Sequence, residues 1–203
     1  EKTMRKTLAL IAACAAAPLA SAQIVGSGHD FSSMAWSDGE ICKPCHTPHF
    51  AMDGILRLWN HELTVANYDM HSGSGTAVDD FDIRSRLCLS CHDGTVALDS
   101  FGGQSGSSFI NPGANLGTDF NDDHPVGSDA QYPPDPVPSW WSHAFKDEAD
   151  LTVGLYDWVD GGGVTRRVVS CVTCHDEHNA GNLDGMLKLT NNASTLCLDC
   201  HIK

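Results

Sequence analysis

Long apolar runs are scarce in this 203-residue sequence. The run at residues 8–17 is about half the length that a membrane-spanning helix needs, which is about 20 residues. It follows the basic residues Arg5 and Lys6 and precedes the small residues at 20–22. That order is typical of a secretory signal peptide. We therefore predict that residues 1–22 are removed, that the chain is secreted, and that no transmembrane segment remains.

Basic side chains are also few. Of the 12 Lys and Arg residues, three precede residue 23, as does one of the 26 Asp and Glu residues, so nine basic and 25 acidic side chains remain. Such a surface repels the phosphate backbone of nucleic acids and excludes them as partners. It suits solubility and cationic partners.

Bulky apolar side chains are thinly spread, and the periodicity of long amphipathic helices is missing. A core built from protein alone would be poor, so we expect another group to fill the interior. The predicted fold class is mostly irregular coil with short helices. One hairpin is expected around 151–169, across the glycines at 161–163.

What the sequence does have is cysteine in a strict pattern. Cys14 lies in the predicted signal peptide, and the other eight form four C-x-x-C pairs, each followed directly by histidine. The cysteines are Cys42, Cys45, Cys88, Cys91, Cys171, Cys174, Cys197 and Cys200. The histidines that follow them are His46, His92, His175 and His201.

This pattern is the signature of covalent c-type haem attachment. Two thiols reach the two vinyl groups of one porphyrin, and the next residue places its imidazole under the iron. Disulfides, a zinc site or a thioredoxin-type pair would each use paired cysteines, but none of them requires histidine after every pair. We predict four covalent haems c, with the chain organised around a tetrahaem core.

The four motifs form an internal repeat. The segment 42–49 parallels 171–178, and 86–92 parallels 195–201. Each half therefore carries one haem pair. We place the first half at 23–130 and the second at 131–203, where it opens with a proline-rich linker.

The doubled pattern resembles the paired-CxxCH multihaem cytochromes of metal-reducing bacteria. The first half is similar to their tetrahaem outer-surface, OmcE-like members, which polymerise into extracellular haem filaments. The resemblance implies extracellular electron transfer, a head-to-tail homopolymer, and redox partner cytochromes or extracellular electron acceptors. It is carried by Gly26–Asp30, Cys45–His49, Leu58–His61, Leu87–Gly94 and Asp123–Val126.

Seven histidines outside the motifs supply candidates for the distal iron ligands. His49 and His178 each follow a motif histidine by three residues, so they lie on the proximal side of their own haem and must serve another. We assign His49 to the second haem and His178 to the fourth. Methionine ligation, by one of Met34, Met52, Met70 and Met186, stays open but is disfavoured by the histidine surplus.

The other distal assignments are less direct. His124, which matches the family's Asp-Asp-His-Pro motif, is assigned to the third haem. His29 and His61 compete for the first haem, and the other of the two, His29 above all, could ligate a haem of a neighbouring subunit. His71 and His143 are expected to be surface residues.

Two histidines on each iron leave no position for a substrate and keep the reduction potential low. We therefore predict an electron carrier that is not an enzyme, at the cell surface and within a filament. Two alternatives stay open. One is a soluble periplasmic shuttle with the same haems, and the other is a multihaem reductase with one five-coordinate haem.

Overall fold

The structure is a computed structural model that describes residues 23–55, 57–71, 73–134 and 144–202, without the side chains of 73–78. The predicted signal peptide, most of the proline-rich linker and His143 lie outside these residues. Most of the described chain is coil and turns, which confirms the expected class. No helix in the described ranges is long and apolar enough to cross a membrane.

The α-helices lie at the cysteine motifs. They are α1 (Ile83–His92), α2 (Cys171–Cys174) and α3 (Cys197–Cys200). The first motif forms turns instead, but His46 N–H still donates to the Cys42 carbonyl at 2.8 Å. The same bond, from the motif histidine to its first cysteine, recurs in the third and fourth motifs at 3.0 Å. One helical turn places both thiols and the imidazole of a motif on one side of the backbone.

Two antiparallel hairpins and several short 3-10 helices accompany these α-helices in the described residues. Strand β1 (Asn67–Met70) pairs with β2 (Gly73–Ala77), and β3 (Tyr156–Val159) pairs with β4 (Thr165–Val168). The second hairpin is the one that the sequence predicts, and the first was not predicted. Its short strands and glycine-rich β2 carry too little alternating hydrophobicity to be recognised.

The hydrophobic core consists of two small clusters. One holds Tyr68, Met70, Phe81, Leu89 and Phe120, and the other holds Ala130, Tyr132, Leu155 and Val169. In the first cluster, the rings of Tyr68 and Phe81 meet edge to face at 4.9 Å. A core this thin agrees with the sparse apolar residues of the sequence.

A polar clamp joins the two halves of the chain. Asp82 caps α1 by accepting the backbone N–H groups of residues 84 and 85, and it also accepts the Ser85 hydroxyl at 2.6 Å. Ser170, the residue before α2, donates its hydroxyl to Asp82 at 3.1 Å. The Cys171 N–H donates to the Ser85 hydroxyl at 3.1 Å. The buried clamp of Asp82, Ser85 and Ser170 therefore joins the N-termini of α1 and α2.

Candidate haem-binding sites

Three of the four motif histidines have their rings held by backbone carbonyls. In each, the Nδ1 atom lies within hydrogen-bond distance of a carbonyl oxygen, so Nδ1 carries the proton and donates it. The lone pair of Nε2 then remains for a metal ion, the arrangement that metal-binding histidines usually show. The distances are 2.8 Å from His46 to Arg57, 2.8 Å from His92 to Ala114 and 2.9 Å from His175 to Gly185.

At the first motif of each half, the accepting carbonyl belongs to a two-residue left-handed turn. Arg57 and Leu58 have φ of 68° and 58°, and Gly185 and Met186 have φ of 66° and 54°. Residues other than glycine adopt this conformation at a cost of about 1–2 kcal/mol each. The turn recurs in the two halves, although Arg57-Leu58 and Gly185-Met186 occupy different positions of the repeated segments 52–60 and 183–191.

Histidine rings oppose three of the motif histidines. Two imidazoles that bind one metal ion from opposite sides, each at about 2 Å, have ring centroids about 6 Å apart. We call two rings at this spacing an imidazole pair. The pairs are His46 with His178 at 6.2 Å, His29 with His92 at 6.1 Å and His124 with His201 at 6.3 Å. The ring spacing at the first, second and fourth motifs therefore matches that of two imidazoles on one iron.

The pair of His29 and His92 is the best supported by its surroundings. His29 Nδ1 lies 3.1 Å from the Glu177 carbonyl, so this ring too is oriented by the backbone. Burial lowers the pKa of His29, and the nearby His92 and His178 lower it further, although the bond to Glu177 opposes the shift. The ring is therefore neutral at pH 7, which is the form that binds a metal.

These pairs differ from the expected ones. His178 faces the first motif instead of the fourth, His29 faces the second instead of the first, and His124 faces the fourth instead of the third. The expectation joined each histidine to a haem of its own half or the next motif along. In the structure, the N-terminal segment packs on the second half, where Asn179 Nδ2 donates to the Gln23 carbonyl at 3.3 Å. His178 of the second half thus faces a motif of the first half, and His124 of the first half faces a motif of the second.

The remaining candidates form no imidazole pair with a motif histidine among the described residues. His49 and His71 are exposed. His61 is buried, with Nδ1 at 2.8 Å from the Glu62 carbonyl and Nε2 at 3.0 Å from the Ala97 carbonyl. A neutral imidazole has one N–H, so it donates to only one of them at a time. The described residues also place no second imidazole opposite His175.

Thiols of the first two motifs adjoin each other. Burial and, to a smaller extent, the nearby Cys45 thiol raise the pKa of Cys91 to about 12. Burial likewise raises the pKa of Cys45 to about 11. Both thiols are therefore protonated before haem attachment, and they bring the first and second attachment points together.

The same relation continues along the chain. The neighbouring Cys171 thiol raises the pKa of the buried Cys88, and Cys88 in turn lowers the pKa of Cys171. Burial, Cys171 and then Cys197 raise the pKa of Cys174. Cysteines of consecutive motifs therefore lie near one another in the folded chain.

One family model matches the chain. Residues 164–203, which hold the third and fourth motifs, match the family described as the doubled CXXCH motif. No curated protein matches the chain. The CXXCH motifs indicate covalent haem c, and the doubled motif supports a place for this chain among the multihaem c-type cytochromes, which transfer electrons.

Proposed function

We propose that the chain is a tetrahaem cytochrome that passes electrons along a row of four covalent haems. The observation that carries the proposal is the imidazole pair, which recurs at three motifs with centroids 6.1–6.3 Å apart. Each haem would be attached by the two cysteines of one motif and bound by Nε2 of its histidine. Haem bound in this way supplies reversible one-electron oxidation and reduction.

The residues of the chain orient and enclose these groups. Backbone carbonyls hold the rings of His46, His92 and His175, so that little reorganisation accompanies a change of charge. His178, His29 and His124 would supply the second histidine ligands of the first, second and fourth haems. At these three motifs an iron so held would have no position for a substrate, which favours a carrier over an enzyme.

The row has a direct route between its two pairs. Electrons would move in motif order, because cysteines of consecutive motifs lie near one another. The step between the halves runs from the second haem to the third, past the contact of Cys88 with Cys171. The clamp of Asp82, Ser85 and Ser170 holds that contact.

We propose further that the protein acts outside the cell as a subunit of a head-to-tail, OmcE-like filament. The resemblance in the first half of the sequence supports this. The earlier hypothesis that His29 bridges subunits is not supported, because its ring faces His92 of the same chain. His49 is the better candidate, since it is exposed and precedes Phe50, a fully exposed apolar side chain.

Haem content and coordination test the carrier. Intact-mass measurement of the mature chain is expected to show four haem additions, and electron paramagnetic resonance of the oxidised protein is expected to show only low-spin iron. Zinc in place of haem, or fewer than four additions, contradicts the tetrahaem proposal. A high-spin signal in the resting protein would favour the reductase instead.

Sedimentation and electron microscopy of the secreted protein test the filament. Filaments are expected from the wild type and from His71→Ala, whose changed side chain is also exposed, and are expected to be lost in His49→Ala. If the wild type sediments as a monomer at every concentration, the soluble shuttle is correct. Filaments of His49→Ala with every iron low-spin would exclude His49 as the bridge.

A further inference from the structure

Asp93, the residue after the second motif histidine, has a buried carboxylate. Only 4% of this residue is exposed. It accepts the hydroxyl of Thr64 at 2.6 Å and that of Tyr68 at 2.7 Å. It also accepts the N–H of Thr95 at 2.7 Å and its hydroxyl at 2.8 Å. Four donors converging on two oxygens are the surroundings of an ionised carboxylate, which is an acceptor only.

The negative charge of Asp93 lies at a position where it destabilises the folded protein. Asp93 directly follows α1, at the end of the helix where the backbone carbonyls carry partial negative charge and disfavour an anion. Burial adds a desolvation penalty. All four donors are neutral groups, and no ion pair involves Asp93 within the described ranges. The negative charge is therefore stabilised by hydrogen bonds without being neutralised.

No other motif has a buried carboxylate directly after its histidine, although Asp199 is buried within the fourth motif, where it accepts two backbone N–H groups. The residue after the motif histidine is Thr47 in the first motif and Ile202 in the fourth, and neither is charged. Asp176 follows the third motif, but it is half-buried and bonded to backbone N–H groups of its own loop. Exposed carboxylates are screened by water and salt, whereas a buried one acts through a medium of lower dielectric constant.

We propose that the Asp93 carboxylate lowers the reduction potential of the second haem. The inference rests on the proposed function, in which Cys88, Cys91 and His92 hold that haem. Ferric haem carries one more positive charge than ferrous haem, so a fixed buried anion nearby stabilises the oxidised form. Net charge, hydrogen bonding and burial are the means by which a protein adjusts haem potentials.

The donors around Asp93 have the opposite effect. Each hydroxyl that donates to the carboxylate withdraws part of its charge and weakens its field at the haem. Removing the charge should therefore raise the potential, and removing a donor while the charge remains should lower it further. A residue that only supports the local fold would not produce shifts of opposite sign.

The test is a redox titration of the full, haem-loaded chain, with the haem on Cys88 and Cys91 followed by its own nuclear magnetic resonance signals. Asp93→Asn, which keeps size and shape, is expected to raise the potential of this haem more than that of any other. Tyr68→Phe, which keeps the charge and the ring, is expected to lower it. Asp122→Asn is the matched control, because its carboxylate is exposed and its change should leave the potential in place.

An unchanged or lowered potential in Asp93→Asn overturns the inference, as do shifts of the same sign in Asp93→Asn and Tyr68→Phe. If Asp93→Asn does not accumulate as folded protein, the sign of the Tyr68→Phe shift decides alone. A wild-type chain with no haem on Cys88 and Cys91 would instead overturn the proposed function. The two failures are therefore distinguishable.

Discussion

The imidazole of His178 faces that of His46 at 6.2 Å, with 17° between the ring planes, although the two residues belong to different halves of the chain. His46 is oriented by the Arg57 carbonyl, which leaves its Nε2 directed away from the backbone. A ligand pair built across the halves makes the iron site depend on their packing. It also makes the interface between the halves testable by the spin state of one haem.

Replacing His178 with alanine is expected to convert one haem per chain from low-spin to high-spin, because the first iron loses its sixth ligand. Electron paramagnetic resonance of the oxidised protein measures the change. His71→Ala removes an exposed histidine that forms no imidazole pair among the described residues, and it should leave every iron low-spin. If every iron of the His178→Ala protein stays low-spin, another residue is the sixth ligand of the first iron.

Asp82→Ala is expected to lower the free energy of unfolding by about 2–3 kcal/mol. It removes the N-cap of α1 and leaves the buried hydroxyls of Ser85 and Ser170 without their shared acceptor. Denaturant unfolding of the haem-loaded protein gives the value. Asp82→Asn keeps a capping oxygen and should lose less, about 1 kcal/mol. Equal losses in the two variants would argue against the clamp.

Alanine substitutions at two glycines distinguish the cost of a left-handed backbone from the cost of a steric clash. Gly127 and Gly102 have φ of 64° and 65°, but a Cβ atom at Gly127 would lie 2.7 Å from the Asp80 carbonyl oxygen, whereas at Gly102 it would meet nothing within 4 Å. Gly102→Ala is expected to lower the free energy of unfolding by about 1–2 kcal/mol from conformation alone. Gly127→Ala is expected to lower it by about 3 kcal/mol or more, since backbone must also shift. Denaturant midpoints compare the variants, and equal midpoints would disprove the close approach.

Stability at high pH should depend on Tyr132. Burial raises its pKa from 10.0 to about 12, and its hydroxyl donates to the Lys146 carbonyl at 2.6 Å. The folded state thus holds the proton more tightly than the unfolded state does, so this contribution is intact below pH 10 and is lost as pH rises to about 12. The loss is about 1–3 kcal/mol. Between pH 10 and about 12, the free energy of unfolding measured in urea should fall more steeply for the wild type than for Tyr132→Phe. Parallel plots of this free energy against pH would contradict the assignment.

Much of this protein could be predicted from local sequence. The motifs were recognisable because the thioether bonds and the iron ligand come from five consecutive residues, so their chemistry needs no knowledge of the fold. The coil-rich class followed from scarce apolar residues, and the hairpin β3–β4 from the glycines at its turn. These features depend on interactions between residues close together in the chain.

Tertiary structure alone decided which histidine opposes which motif. His29 meets His92, and His124 meets His201, through packing between distant segments whose strength no local pattern encodes. The proximity of cysteines from consecutive motifs and the burial of Asp93 arise in the same way. Spacing in the sequence limits what a histidine can reach within one turn of helix, but beyond that turn only the packing of the halves determines its partner.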